Sequence, residues 1–144
     1  MSFITKINAL KFRLEENQAL QDYFAEKFKK TAGVRKEFRN RAEINLSDLP
    51  LILITRPSLR REQAGNVIRK EHSVSLYVGF QHQDRADALE IILELEERIE
   101  TAVTTYTSQT GDTPMPVSVE ESVNDEGMYH PSYFFMMGLK VKDR

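Results

Sequence analysis

Residues 47–56 read SDLPLILITR, and the interpretation of this stretch governs what can be placed around it. Leu51, Ile52, Leu53 and Ile54 follow one another with no polar residue between them. In a strand, successive side chains point to opposite faces, so an unbroken apolar run demands burial on both sides, the condition of an inner strand and not of an edge. Pro50 is compatible with that reading because it stands at the strand's first residue, where one ladder donor can be lost. An inner strand needs neighbours, and the remaining sequence must supply them.

The nearest is HSVSLYVGF at 72–80, where Val74, Leu76, Val78 and Phe80 alternate with smaller or polar residues. Two more alternating stretches lie at 117–123 and 133–141; in the last, Tyr133, Phe135, Met137, Leu139 and Val141 share one face. Between the first two strands, RPSLRREQAGNVIRK reads as a long polar arm or loop at about 56–68. Helical periodicity occupies two other regions. Phe3, Ile7, Leu10 and Leu14 recur at helical spacing behind Ser2, a candidate N-cap, and Leu20, Tyr23, Phe24 and Phe28 resume the pattern after Asn17. That helix either continues with a change of face or restarts with Asn17 as cap, and Gly33 is its expected end. Asp84 is placed to cap a helix over 84–106 with a broad stripe of Leu89, Ile92, Leu93, Leu95, Ile99, Ala102, Val103 and Tyr106, flanked by glutamates. The turn Asn124-Asp125-Glu126-Gly127 separates the last two strands.

This order predicts an α+β fold: a four-stranded, mainly antiparallel sheet with helices packed on one face, in a single domain covering 1–144. Helices for one face leave the second apolar face of SDLPLILITR without a cover, which points to an oligomer.

Composition narrows the classes of function. The 144 residues suit one core, and 20 lysines and arginines against 22 acids give a net charge of −2, which argues against non-specific grip on nucleic acid or anionic lipid. There is no cysteine, so disulfides, thiolate metal sites and cysteine nucleophiles are excluded together. No apolar run is long enough to cross a membrane as a helix, and the N-terminus lacks a secretory signal, so a soluble chain with no membrane partner is expected. Between 29 and 41 stand Lys29, Lys30, Arg35, Lys36, Arg39 and Arg41 with a single aromatic residue, Phe38. A solvated connector explains that run more simply than a nucleic-acid site.

Candidate chemistry is sparse. Of the histidines, His72 and His82 bracket the second strand, about 30 Å apart at 3.3 Å per residue, so a shared metal is excluded if the strand is continuous. His82 beside Asp84 is better read as a surface histidine next to a helix cap than as a ligand pair, and His130 precedes Pro131 in a turn. Glu96 and Glu97, or Glu120 and Glu121, are adjacent and point in different directions, so they do not form an acid–base pair. No glycine stands in a phosphate-loop context. No enzyme activity, cofactor or metal is expected.

The succession of an N-terminal amphipathic helix, a Leu49-Pro50-apolar strand, a polar arm, an alternating strand over 69–80, an Asp-started helix and a paired C-terminal strand set resembles the tail terminator and tail-completion proteins of long-tailed bacteriophages. The resemblance spans most of the chain. It implies a non-enzymatic virion structural protein, prophage-encoded or from an active phage, commonly a hexameric ring. Such a ring caps the tail tube, ends its polymerisation and offers a head-joining surface. Its partners would be further copies of itself, the tail tube protein and a head-completion or connector protein, with nucleic acid only passing through a ring lumen. Assembly would take place in the host cytoplasm, and the product would reside in the virion tail. The arm residues Arg56, Arg60, Arg61 and Glu62 are then the candidate partner contacts, made to neighbouring rings. The alternative reading is a cellular α+β binding module that uses the basic 29–41 segment for nucleic acid; an enzyme working through His72 or His82 comes third.

Overall fold

A computed structural model describes residues 2–143, with the Asp143 side chain left aside. Its elements are α1 (Phe3–Glu16), α2 (Gln18–Phe28), β1 (Gly33–Arg35), β2 (Leu51–Ala64), β3 (Val67–Gln81), α3 (Arg85–Thr104), β4 (Val117–Asn124) and β5 (Ser132–Asp143). The sheet has five strands in the order β1-β2-β3-β5-β4, one more than the sequence predicts. The extra strand, β1, has three residues and runs parallel to β2, while every other pairing is antiparallel.

SDLPLILITR does lie inside the sheet. Leu51, Ile52, Leu53 and Ile54 are all buried, flanked by β1 on one side and β3 on the other. Ile52 and Ile54 join Val74, Leu76, Val78, Phe80, Phe135, Met137 and Leu139 in the main core under the three helices. Leu51 and Leu53 point the other way, into a second, smaller cluster with Leu49 and Phe134.

The helices follow their caps. α1 ends at Glu16 and α2 restarts at Gln18, with the Asn17 carboxamide accepting from the Leu20 N–H at 2.9 Å. Ser2 holds the N-cap position of α1, but its side chain meets the Thr5 hydroxyl and caps no N–H. α2 stops at Phe28 because Lys29 turns left-handed, φ 66°; Gly33, expected to end the helix, opens β1 instead. In α3, Asp84 accepts from the Asp87 N–H at 3.0 Å, and the buried face is Ala88, Ile91, Ile92, Leu95, Ile99, Ala102 and Val103. Leu89 and Leu93 are exposed, as is Tyr106 beyond the helix end. The apolar stripe read from sequence is wider than the face one sheet can cover, and the sheet selects the 88-91-95-99-102 side.

The second face finds its cover within the chain. Residues 36–49, carrying two single-turn 3-10 helices at Arg41–Glu43 and Leu46–Asp48, lay Ile44 and Leu49 against Leu51, Leu53, Phe134 and Tyr77. The basic run stays exposed at Lys29, Lys30, Arg35 and Lys36, while its end at Arg39 and Arg41 is half-buried and tied to the rest of the chain. Arg39 donates to both Asp48 and Glu37 at 2.9 Å. Arg41 donates to the Tyr77 hydroxyl at 2.5 Å and stacks over the rings of Tyr129 (4.5 Å), Phe134 (5.3 Å) and Tyr77 (5.5 Å). Burial alone would lower the Arg41 pKa, but the hydroxyls of Tyr129 and Tyr77 and the charge of Asp125 raise it.

A second guanidinium is wholly internal. Arg13 on α1 donates to Asp112 Oδ1 at 2.8 Å, to the Val103 carbonyl at 2.6 Å and to the Thr113 carbonyl at 2.8 Å, and both charged side chains are buried. One planar fork thus ties the first helix to the end of α3 and to the segment leading into β4. Burial pushes the Asp112 carboxyl up, but hydrogen bonds from Thr107, Arg13 and Thr113 outweigh it and hold the pKa below its ordinary value of 3.8. A depressed carboxylate contributes stability above its unfolded-state pKa and loses it as pH falls through the folded one. Stability should therefore decline on acidification below about pH 4, and Asp112→Asn should flatten that part of the profile, as followed by thermal melts across pH.

Three substitutions test the packing. Leu53→Asp places a carboxylate where water cannot reach it and should abolish cooperative folding; a soluble variant with a wild-type melt would remove the inner-strand assignment. Leu95→Ala should cost about 2–5 kcal/mol in denaturant titrations, whereas Leu93→Ala, on the exposed side of α3, should stay within about 0.5 kcal/mol.

Candidate functional site

The feature that departs most from a plain layered domain is the far half of the β2–β3 hairpin. β2 and β3 remain paired from Ser58↔Ser73 to Ala64↔Val67, long after β1 has ended opposite Leu53 and past the last β5 pairing at Lys70↔Asp143. Gly65 takes φ 62° at the first of two loop positions, where a positive φ closes a tight hairpin turn. The polar arm at 56–68 is thus a strand pair about 20 Å long, at 3.3 Å per residue, and its residues 60–69 are exposed throughout. The register breaks between Thr55 and Ser58, with Pro57 inside the break, so the change from buried to bare strand coincides with a bulge.

Alternation gives the arm two different faces. On the face away from the helices, Arg60 stands opposite Glu71, which stands opposite Lys142, and Glu62 stands opposite Arg69. Arg60 also reaches Glu62 at 3.2 Å, and Lys140 reaches Glu71 at 3.7 Å. Arg60, Glu62, Arg69, Glu71 and Lys142, with Pro116, border a shallow groove of about 530 Å³. On the helix-bearing side, Arg61 faces Lys70, Gln63 faces Ile68 and Leu59 faces the buried His72.

The four predicted contact residues are accordingly divided. Arg60 and Glu62 share one face, Arg61 takes the other, and Arg56 lies at the root, its guanidinium 5.9 Å from the Phe3 ring centre. Arg69, Glu71 and Lys142 complete the charged helix-free face and Lys70 joins Arg61 on the other, and none of the four is among the predicted contacts. Centring the hairpin on Gly65-Asn66 and pairing residues outward would have found Arg69, Lys70 and Glu71, because SLRREQA and VIRKEHS then oppose charge with charge.

The histidines lie apart from one another. His72 is within β3, not at its end, buried and stacked at 3.5 Å on Phe3, which makes it a core histidine. His82 follows β3 and reaches Asp87, not Asp84, at 2.6 Å. His130 meets the Tyr133 hydroxyl. Among the described residues no group of three or more His, Cys, Asp or Glu could hold a metal ion, and no helix is long and apolar enough to cross a membrane.

No family model and no curated protein matches the chain. Among solved structures, the chain is similar to a chain in the virion of a native gene transfer agent particle, with a TM-score of 0.54 and 6% identity, over 93% of this chain and 90% of that one. At that identity the likeness is one of fold.

The two classes of arginine should separate experimentally. Arg41→Lys keeps the charge but loses the planar stack and the fixed fork, and should cost about 1–2 kcal/mol. Arg60→Ala, in a pair whose members are 73% and 63% exposed, should change stability by less than about 0.5 kcal/mol. Equal losses in urea titration would erase the distinction between a structural guanidinium and one available to a partner.

Proposed function

We propose that this chain is a structural component of a phage-like particle, acting as a ring that caps the tail tube, ends its polymerisation and presents a surface to the head. The observation that carries the reading is the fold likeness to a virion chain, which runs over nearly the whole length of both chains. The projecting arm supports it, since exposed charged hairpins contribute little to their own fold and suit contacts between subunits. The function so understood is the presentation of surfaces, and it needs no turnover, cofactor or metal. Its partners are other copies of the chain, a tube protein and a head-side protein, met in the cytoplasm of the host and retained in the particle.

The nucleic-acid reading loses ground on a specific point. In the 29–41 run, Arg35 and Arg39 share Glu37 and Asp48, Arg41 is enclosed by aromatic rings, Lys30 bonds the Ser47 carbonyl and Lys36 bonds Asn8. Cations committed within the chain release few counterions on meeting a phosphate backbone.

Deletion of the gene in cells producing the particle provides the test, with tails scored by electron microscopy. Overlong tubes and tails without heads are expected. Tails of normal length joined to heads, in the complete absence of the protein, would overturn the reading.

A further inference from the structure

We propose that the outer edge of β2 in the arm, residues 58–64, adds as a strand to the outer edge of β4 in a second copy of this chain, so that copies join head to tail through one continuous sheet. The inference deepens the ring reading above and rests on it, while naming the partner of the arm as the next copy in the same ring.

Strand order supplies the first argument. β4 ends the sheet on one side, and β1 ends it on the other but covers only Leu51, Ile52 and Leu53 of β2. The remainder of β2 and the whole of β4 therefore each have one side without a strand neighbour among the described residues. The two bare edges lie on opposite sides of one sheet, the arrangement that head-to-tail association requires and that a two-fold dimer does not use. Their lengths agree, since 58–64 and Val117–Asn124 differ by one residue.

Charge supplies the second. Between 56 and 71 the arm carries Arg56, Arg60, Arg61, Arg69 and Lys70 against Glu62 and Glu71. Residues 117–127, β4 and its turn, carry exposed Glu120, Glu121 and Glu126 and no cation, with Asp125 turned inward to Arg41. The chain as a whole is nearly neutral, so this is segregation of charge and not an excess of one sign. Arg61 stands directly across from Lys70, a like-charge pair that costs stability in an isolated hairpin.

Facing is consistent as well. Arg60 lies opposite Glu71 of β3, and Glu121 lies opposite Gly138, which lies opposite Ser75 of β3. Both charges are thus on the helix-free face of their sheet, and in a continuous sheet they meet on the same side. The β4 register breaks between Val119 and Glu121. A bulge with exposed carboxylates discourages indiscriminate edge pairing, and here it leaves the edge selective for a basic strand.

The test uses the full-length chain and its mass in solution, by sedimentation or mass photometry. Wild type should assemble into closed multiples of the 16.7 kDa protomer, and its association constant should fall at least tenfold between 0.05 and 0.5 M salt, about one decade of concentration over which surface charges become screened. Arg60→Glu with Arg61→Glu, and separately Glu120→Lys with Glu121→Lys, should each give a folded monomer with an unchanged circular dichroism melt. Mixed in equal amounts the two variants should assemble again, and only into even-numbered rings, because each offers the other both complementary edges. Wild-type-sized assemblies from either variant alone would overturn the proposal. So would a mixture that stays monomeric, a wild type whose association is indifferent to salt, or a wild type that is monomeric at every concentration. None of these results bears on the gene-deletion assay, which decides the tail-capping reading by itself.

Discussion

One strand pair must be dry at one end and wet at the other, and the rest of the structure answers that requirement. The first four residues of β2 are buried and its last five are exposed. Leu51 and Leu53 cannot face water, so residues 36–49 fold back over them. Ile52 and Ile54 cannot either, so the helices gather on the opposite side. Where those covers stop, the register breaks around Pro57, and farther out cross-strand charges replace cross-strand apolar contacts. The arm is thus a continuation of the core strand under a different solvent, and a shift of one residue in its register would turn every side chain to the wrong face.

Two arginines show how the covers are fastened. Arg13 is buried and Arg41 half-buried, and both are satisfied, but in different ways. Arg13 spends its fork on carbonyls and a carboxylate at the place where α1, the end of α3 and the approach to β4 converge. An apolar side chain there would leave the buried Asp112 without its counter-charge and the carbonyls of Val103 and Thr113 without this donor, at greater cost than the desolvation of the guanidinium. Arg41 instead lies flat among Tyr77, Tyr129 and Phe134, and holds the second cover to the sheet by stacking, the Tyr77 hydroxyl and a 3.7 Å approach to Asp125. A count of basic residues cannot distinguish such internal guanidiniums from the open ones at Arg60 and Arg61, yet the distinction decides which charges can meet a partner.

What the sequence made legible were the patterns set by local rules. The inner strand followed from four consecutive apolar residues, the helix after Asp84 from its cap and period, and β3, β4 and β5 from alternation. The failures have physical causes. Three residues of β1 are too few to display any period, and parallel pairing with β2 is a non-local choice. The phase of α3 could not be read because Leu89 and Leu93 are as apolar as the residues that face the sheet, and only the position of the sheet distinguishes them. The cover of the second face hid in a basic stretch because Arg39 and Arg41 are neutralised by partners distant in the chain, at Asp48, Asp125 and the aromatic rings. For the arm, position was legible but facing was not: Arg56, Arg60, Arg61 and Glu62 are close in sequence, yet a two-residue period and a bulge send them to different surfaces.

An arrangement of helices and strands persists at 6% identity because it depends on alternation, caps and turn geometry, which many residues satisfy. Surface charge is under no such constraint, so the partners of this chain must be read from its own surface. That surface is divided, with cations along the arm and carboxylates along β4 and α3, whose Glu90, Glu94, Glu96, Glu97 and Glu100 extend the acidic side. Like regions repel when two copies approach arm to arm, and unlike regions attract when the arm of one approaches the far edge of the other. A divided charge of this kind disfavours two-fold pairing and favours a directional chain of contacts, which closes into a ring if the rotation per copy divides a full turn.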